Sequence, residues 1–231
     1  MKQIIAMGGG GFLMDESPYL DDFILSRAKG RESRVCFVAT AAGDSDRMLV
    51  SFYTAFGPRC KATHLPLFRR EHADVVAFLL NHDVIYVGGG NSSNMLAIWR
   101  VHGVHTALAQ AYEAGILLCG LSAGGLCWFE TGVTDSFGPL APLDNGLGLL
   151  PGSFCPNYDG DSRRRPTYQR LVREGMPSGY AADVGAALVF IEDHLAEVVT
   201  SRPQAAAYRL ERRAGDVHEE RLPGRYLGVA S

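Results

Sequence analysis

Ile116-Leu117-Leu118-Cys119-Gly120-Leu121-Ser122-Ala123-Gly124-Gly125 decides how this chain is read. Four apolar residues, suited to a strand covered on both faces, run straight into a serine set between glycines. A segment that reads as a helix follows. Strand, sharp turn and helix make a nucleophile elbow, in which the tight turn crowds its flanking positions and the serine at the tip projects its hydroxyl away from the sheet. The helix aims backbone N–H groups at the same point, where an oxyanion forms in acyl transfer. The bland reading of Ser122 is a helix cap. Its place between a buried strand and a helix favours the nucleophile.

Working outward, residues 3–7, 35–39, 61–66 and 84–87 read as further strands. Between them, 19–28, 46–56, 73–80, 92–100 and 102–114 carry apolar residues at helical spacing. Strand–helix units in series predict a mostly parallel sheet with helices on both faces and right-handed crossovers. Ligands on such sheets bind beyond the carboxyl ends of the strands. The glycine-rich loops at 8–11, 88–90 and 120–125 all follow strands, so they fall on that edge together. The last third changes character. Short apolar segments at 179–183, 186–191, 195–200 and 205–210, punctuated by Asp193-His194 and Arg202-Pro203, predict an antiparallel extension of the main sheet within one domain spanning 1–231. The charged tail after Leu210 takes no clear assignment.

The composition excludes several classes. The 231 residues suffice to bury roughly 70–75% of the unfolded surface. A net charge of −3 supplies no basic field for nucleic acid. No stretch approaches the roughly 20 apolar residues of a membrane span, and the N-terminus lacks a signal-peptide pattern. The five cysteines show no zinc spacing and read as reduced, buried thiols of a cytoplasmic protein. The seven histidines form no metal motif, so no metal or cofactor is expected.

Other residues carry chemistry beside a blander reading. Gly88-Gly89-Gly90-Asn91 is a strand-end turn with Asn91 as helix cap, and its backbone N–H is also placed to be a second oxyanion donor beside that of Ala123. Glu130 and Asp135 read as turn polarity or as the acid that orients a catalytic base. Residues 154–161, with Asn157, Tyr158, Asp159 and Asp161, followed by Arg163-Arg164-Arg165, read equally as a surface loop and a substrate-binding loop.

Together, Gly88-Gly89-Gly90-Asn91, the elbow, Thr134-Asp135-Ser136 and Cys155-Pro156-Asn157-Tyr158-Asp159 resemble the peptidase E family, serine peptidases of clan PC with cyanophycinase-like relatives. The resemblance spans most of the chain. It implies a flavodoxin-like, class I glutamine amidotransferase-like three-layer α/β sandwich with serine at the elbow. It implies a cytoplasmic dipeptidase, a homodimer, that releases N-terminal aspartate from Asp-X. Carried over, Ser122 is the nucleophile, Gly90 and Ala123 form the oxyanion hole, and Asp135 or Glu130 is the orienting acid. Asn91, Tyr158 and Asp159 line the substrate site, and Arg164 or Arg165 pairs with the substrate carboxylate.

The departure is Asn157, which stands where the family carries its histidine base. A carboxamide has no basic site near neutral pH, and loss of a triad histidine costs on the order of 10⁶ in turnover. Three readings stand: a histidine exchanged by design to trap a complex, a binding relative with little turnover, or another base among His194, His218, Asp159 and Asp161. A glutamine amidotransferase using Cys119 is disfavoured, because Cys119 lies within the strand and Ser122 holds the tip.

Overall fold

The fold comes from a computed structural model that describes residues 1–14, 18–28, 32–69 and 72–228. The apolar runs form β1 (Gln3–Met7), β2 (Arg34–Val38), β3 (Lys61–His64), β4 (Val84–Val87) and β5 (Leu117–Leu121). They lie parallel in the order β3-β2-β4-β5-β1. Strands β10 (Ala186–Ile191) and β11 (His194–Thr200) continue the sheet antiparallel beyond β1, and β14 (Arg225–Tyr226) completes eight strands.

Alternation along the strands separates two cores, because successive side chains point to opposite faces. Ile5 and Met7 join Leu20, Phe23 and Ile24 of α1 (Tyr19–Arg27) and Phe52 and Phe56 of α2 (Asp46–Phe56). Ile4 and Ala6 face Leu79 of α3 (Val75–Leu80), Trp99 of α4 (Ser92–His102) and Leu108 of α5 (Val104–Glu113). This is the three-layer α/β sandwich that the strand–helix alternation predicts. Among the described residues no helix is long and apolar enough to cross a membrane.

A second sheet covers the far side of the Ile4 face. It contains β6 (Phe129–Thr134), β7 (Ala141–Leu143), β8 (Leu150–Cys155), β9 (Gly179–Ala182), β12 (Ala207–Arg213) and β13 (Asp216–Arg221), in the order β13-β12-β9-β8-β6-β7. Phe129, Leu150 and Phe154 share a core with Leu188 and Phe190 of β10. The opposite face, with Val133, Cys155 and Leu210, packs on Tyr168 and Val172 of α7 (Arg164–Glu174).

The last third is therefore divided between two sheets. The segments at 186–191 and 195–200 extend the main sheet as expected. Those at 179–183 and 205–210 join the second sheet, and the charged tail supplies its edge strand β13. Only Asp183, Val184 and Gly185 separate β9 from β10. A short corner carries the chain from one sheet to the other, and alternating apolar residues look the same in either.

Candidate active site

Strand β5 ends at Leu121, and a single helical turn, α6 (Ala123–Leu126), begins one residue later. The expected helix is this short because Phe129 already starts β6. Between them Ser122 sits at φ 53, ψ −113, a conformation costly for any residue with a Cβ. Its surroundings impose it. The Ser122 N–H donates to Met7 O at 3.0 Å, and its carbonyl accepts from Gly125 and Leu126 at 3.0 and 2.9 Å. A Cβ on Gly120 would overlap the backbone of Gly124, and one on Gly124 would overlap the Val87 carbonyl, so both flanking glycines are steric requirements. The Ser122 hydroxyl makes no capping bond to α6. The bland role is not the one it plays.

The loop after β4 leans on this turn. A Cβ on Gly89 would stand 3.3 Å from that of Ser122. Gly90 has φ 142 and no space for a Cβ against the Ala41 carbonyl. Among the described residues, no acceptor takes the N–H of Gly90 or of Ala123. Asn91 performs its capping role: Oδ1 accepts from Asn94 N at 2.8 Å, while Nδ2 donates to Ser136 O at 3.1 Å.

From the second sheet, the loop after β8 brings Asn157 to the serine. Its Nδ2 donates to Ser122 Oγ at 2.8 Å, and its backbone N–H donates to Gly8 O at 3.0 Å. Asn157 also has a positive φ, 51. A Cβ on Gly9 would lie 2.8 Å from Asn157 Oδ1 and 3.2 Å from Val184 Cγ2, so the 8–11 loop passes directly under the pair. The three glycine loops thus meet at the carboxyl edge of the sheet.

The remaining candidates are spread more widely. Glu130, at the start of β6, accepts from Gly152 N at 2.8 Å. Asp135, beyond the other end of that strand, is exposed and pairs with Arg164 Nη2 at 2.8 Å. Neither carboxylate bonds Asn157 or Ser122. Arg164 is only 6% exposed, and its Nη1 has no partner. Arg165 pairs with Glu219 on β13. Tyr158 is buried, with its hydroxyl donating to Glu219 at 2.6 Å. Asp159 accepts from Val184 N at 2.8 Å.

The substitute bases fare unevenly. His194 is exposed, paired with Asp193, and level with Gln3 at the opposite end of the sheet from Gly8. His218 is exposed on β13. Hydrogen bonds from Arg163 hold Asp161 down at about 2, which makes it a poor base. Cys119 is buried with its thiol pushed well up by desolvation, which removes it as a nucleophile. Asp183, unmarked in the sequence beyond its place in a turn, lies in the corner over Gly8 and Gly9. Burial, then the charge of Asp159, raise its carboxyl to about 6, while Oδ2 accepts from Ala206 N at 2.9 Å. Among the described residues no cluster of ligating side chains is suited to a metal ion.

Comparison with known proteins agrees with this fold. A family model described as Peptidase family S51 matches residues 4–198. The uncharacterized peptidase YgaJ of Bacillus subtilis (strain 168) is 49% identical over 231 residues, covering 99% of this chain and 100% of that protein. A peptidase E from Actinobacillus pleuropneumoniae serotype 3 is 26% identical, over 81% of this chain and 85% of its own. A crystal structure of a peptidase from an acI-B1 Actinobacterium shares the fold, with TM-score 0.70 at 19% identity over 97% of this chain and 95% of that one. A putative peptidase E from Listeria monocytogenes EGD-e superposes with TM-score 0.59 at 18% identity over 96% of this chain and 100% of that one.

Proposed function

The chain belongs to peptidase family S51, and we propose that it is a serine peptidase acting on short peptides, with Asp-X dipeptides as the favoured class. The observation that carries this reading is the positive-φ elbow of Ser122, with the backbone N–H groups of Gly90 in the loop packed on it and of Ala123 next in the chain, both without an acceptor among the described residues. Ser122 Oγ attacks the scissile carbonyl, the carbonyl oxygen takes up charge between those donors, the hydroxyl proton passes through solvent to the departing amine, and water then hydrolyses the ester to the free acid and regenerates Ser122. Arg164 holds a guanidinium beside this loop, with Nη2 on the exposed Asp135 carboxylate, and a substrate carboxylate would compete with Asp135 for it. A cytoplasmic setting and a homodimer belong to the same proposal.

Asn157 limits the rate. It steadies Oγ by donating to it but accepts no proton from it. Oxyanion stabilisation and binding alone leave roughly 10³–10⁴ over the reaction in water. That same donated bond favours a second reading, a family member that binds aspartyl peptides and turns them over little.

Hydrolysis of an Asp-X dipeptide by the unaltered chain, by Asn157→His, and by Asn157→His with Ser122→Ala separates the two. A gain of several orders of magnitude in Asn157→His, abolished by Ser122→Ala, establishes the serine peptidase. No gain, together with calorimetric binding of the dipeptide, establishes the binder. A fluorophosphonate that leaves Ser122 unmodified even in Asn157→His counts against Ser122 as nucleophile.

A further inference from the structure

We infer that Glu219, on the C-terminal hairpin, is a positioning residue that holds Asn157 against Ser122; this rests on reading Ser122 and Asn157 as the reactive pair. Asn157 and Tyr158 are consecutive, and the chain fixes them by three anchors from three different places. Asn157 N donates to Gly8 O of the main sheet, and Tyr158 N donates to Ala182 O of β9, each at 3.0 Å. The third anchor is the Tyr158 hydroxyl, which donates to Glu219 Oε2 at 2.6 Å.

Glu219 is itself gripped. Gln169 Nε2 of α7 donates to Oε2 at 2.8 Å, and Arg165 pairs with Oε1. The Arg165 guanidinium lies over the rings of Tyr158 and Tyr208, at 5.5 and 4.8 Å from their centroids. The Tyr158 ring meets Tyr168 edge-on at 6.3 Å and Tyr208 at 5.3 Å. One carboxylate therefore joins β13, α7 and the residue next to Asn157.

The choice of a carboxylate at this position argues for placement over bulk stability. Strand β13 is mostly exposed, and Val217 and Glu219 are among its residues turned inward. An inward position of such a hairpin is ordinarily apolar, and a Glu side chain only 12% exposed pays desolvation there. Its three donors outweigh that cost and hold the Glu219 carboxyl below its usual range. Directed hydrogen bonds fix a tyrosine hydroxyl to a point, which an apolar contact does not do. Asn157 needs such fixing, because its left-handed backbone persists only where neighbours over-determine it.

The test uses the full chain and two readouts. One is the side-chain amide ¹⁵N–¹H pair of Asn157, assigned by its loss in Asn157→Asp. The other is the rate at which a fluorophosphonate modifies Ser122. In Tyr158→Phe and Glu219→Ala, the Asn157 pair moves towards the position of a free carboxamide. Modification of Ser122 slows about tenfold, less than the roughly hundredfold a 1 Å misplacement costs, with the loss in the maximal rate and not in reagent affinity. Glu219→Gln keeps an acceptor for Tyr158 and restores both readouts. The inference is overturned if Tyr158→Phe and Glu219→Ala lower the melting temperature yet leave the Asn157 signals and the modification rate unchanged. Tyr158→Phe, which removes one oxygen, decides the matter should Glu219→Ala fail to fold. If Ser122 resists the reagent in the unaltered chain and in Asn157→His alike, the peptidase reading fails, and the Asn157 signals still decide the role of Glu219.

Discussion

The two sides of Ser122 are built to different standards. On one side, Gly90 and Ala123 have N–H groups without acceptors among the described residues, held by glycines that have no steric alternative. On the other, Asn157 reaches the hydroxyl at 2.8 Å with an amide nitrogen. The first side is where the proposed function puts the developing oxyanion. The second has the geometry of a catalytic base without its proton chemistry. Placement and proton transfer are thus separable properties, and this chain keeps the first at a position where the second is missing.

The largest expected effect comes from repairing the deficient side. Asn157→His raises Asp-X hydrolysis by about 10³-fold or more, short of the roughly 10⁶ of a complete triad because neither Asp135 nor Glu130 is placed to orient the new imidazole. Steady-state kinetics with and without Ser122→Ala check this. Damaging the intact side comes next. Gly90→Ala, measured in the Asn157→His background, lowers kcat by about 10²-fold, since the added methyl meets the Ala41 carbonyl and displaces one oxyanion donor. A wild-type kcat in that variant would mean that the Gly90 N–H takes no part. Arg164→Met, a smaller change, raises KM for Asp-X about tenfold, or about 1.4 kcal/mol, and leaves Ala-X unchanged; equal losses on both peptides would remove Arg164 from specificity.

The last effect is on stability and not on activity, at the corner beneath the pair. Asp183 titrates at about 6 in the folded chain against an ordinary 3.8, so folding favours its protonated form. That contribution is full below about pH 4 and lost as the pH rises through about 6. Asp183→Asn keeps an acceptor for the Ala206 N–H and removes the buried charge. It gains roughly 2 kcal/mol at pH 8 and nothing at pH 4, or about 5 °C in melting temperature at the higher pH. Scanning calorimetry at the two pH values reads the difference.

The main sheet, the sharp turn at Ser122 and the glycine loops beside it were legible in the sequence because their signals are local. Runs such as Val84-Ile85-Tyr86-Val87 announce strands buried on both faces, and each ends in the glycines that shape the loop after it. The Ser122–Asn157 contact joins residues on different sheets, and only resemblance to a family pointed to it. The second sheet escaped notice because period-two alternation does not name a partner strand. Glu219 lay hidden for another reason: in Asp216-Val217-His218-Glu219-Glu220-Arg221, an inward-facing charge among outward-facing ones leaves no pattern to see. Glu130 and Asp135 drew attention as acids following the elbow, but order along the chain says nothing about which end of β6 each occupies. The structure ties Glu130 to Gly152 and Asp135 to Arg164.

One feature of the topology bears on how the protein is made. Strand β1 leaves the ribosome well before the strands β5 and β10 that it pairs with, and the glycines after it bond residues 157, 185 and 186. Ser122 donates its own backbone N–H to the Met7 carbonyl. A nascent chain that has displayed its elbow to the cell still lacks the loop that meets the hydroxyl and the corner that closes over it. Domains of this size fold as units, so the serine turn and the loops that meet it come together only after residues 157 and 183–186 have been made: the order of the strands sets when the site exists at all.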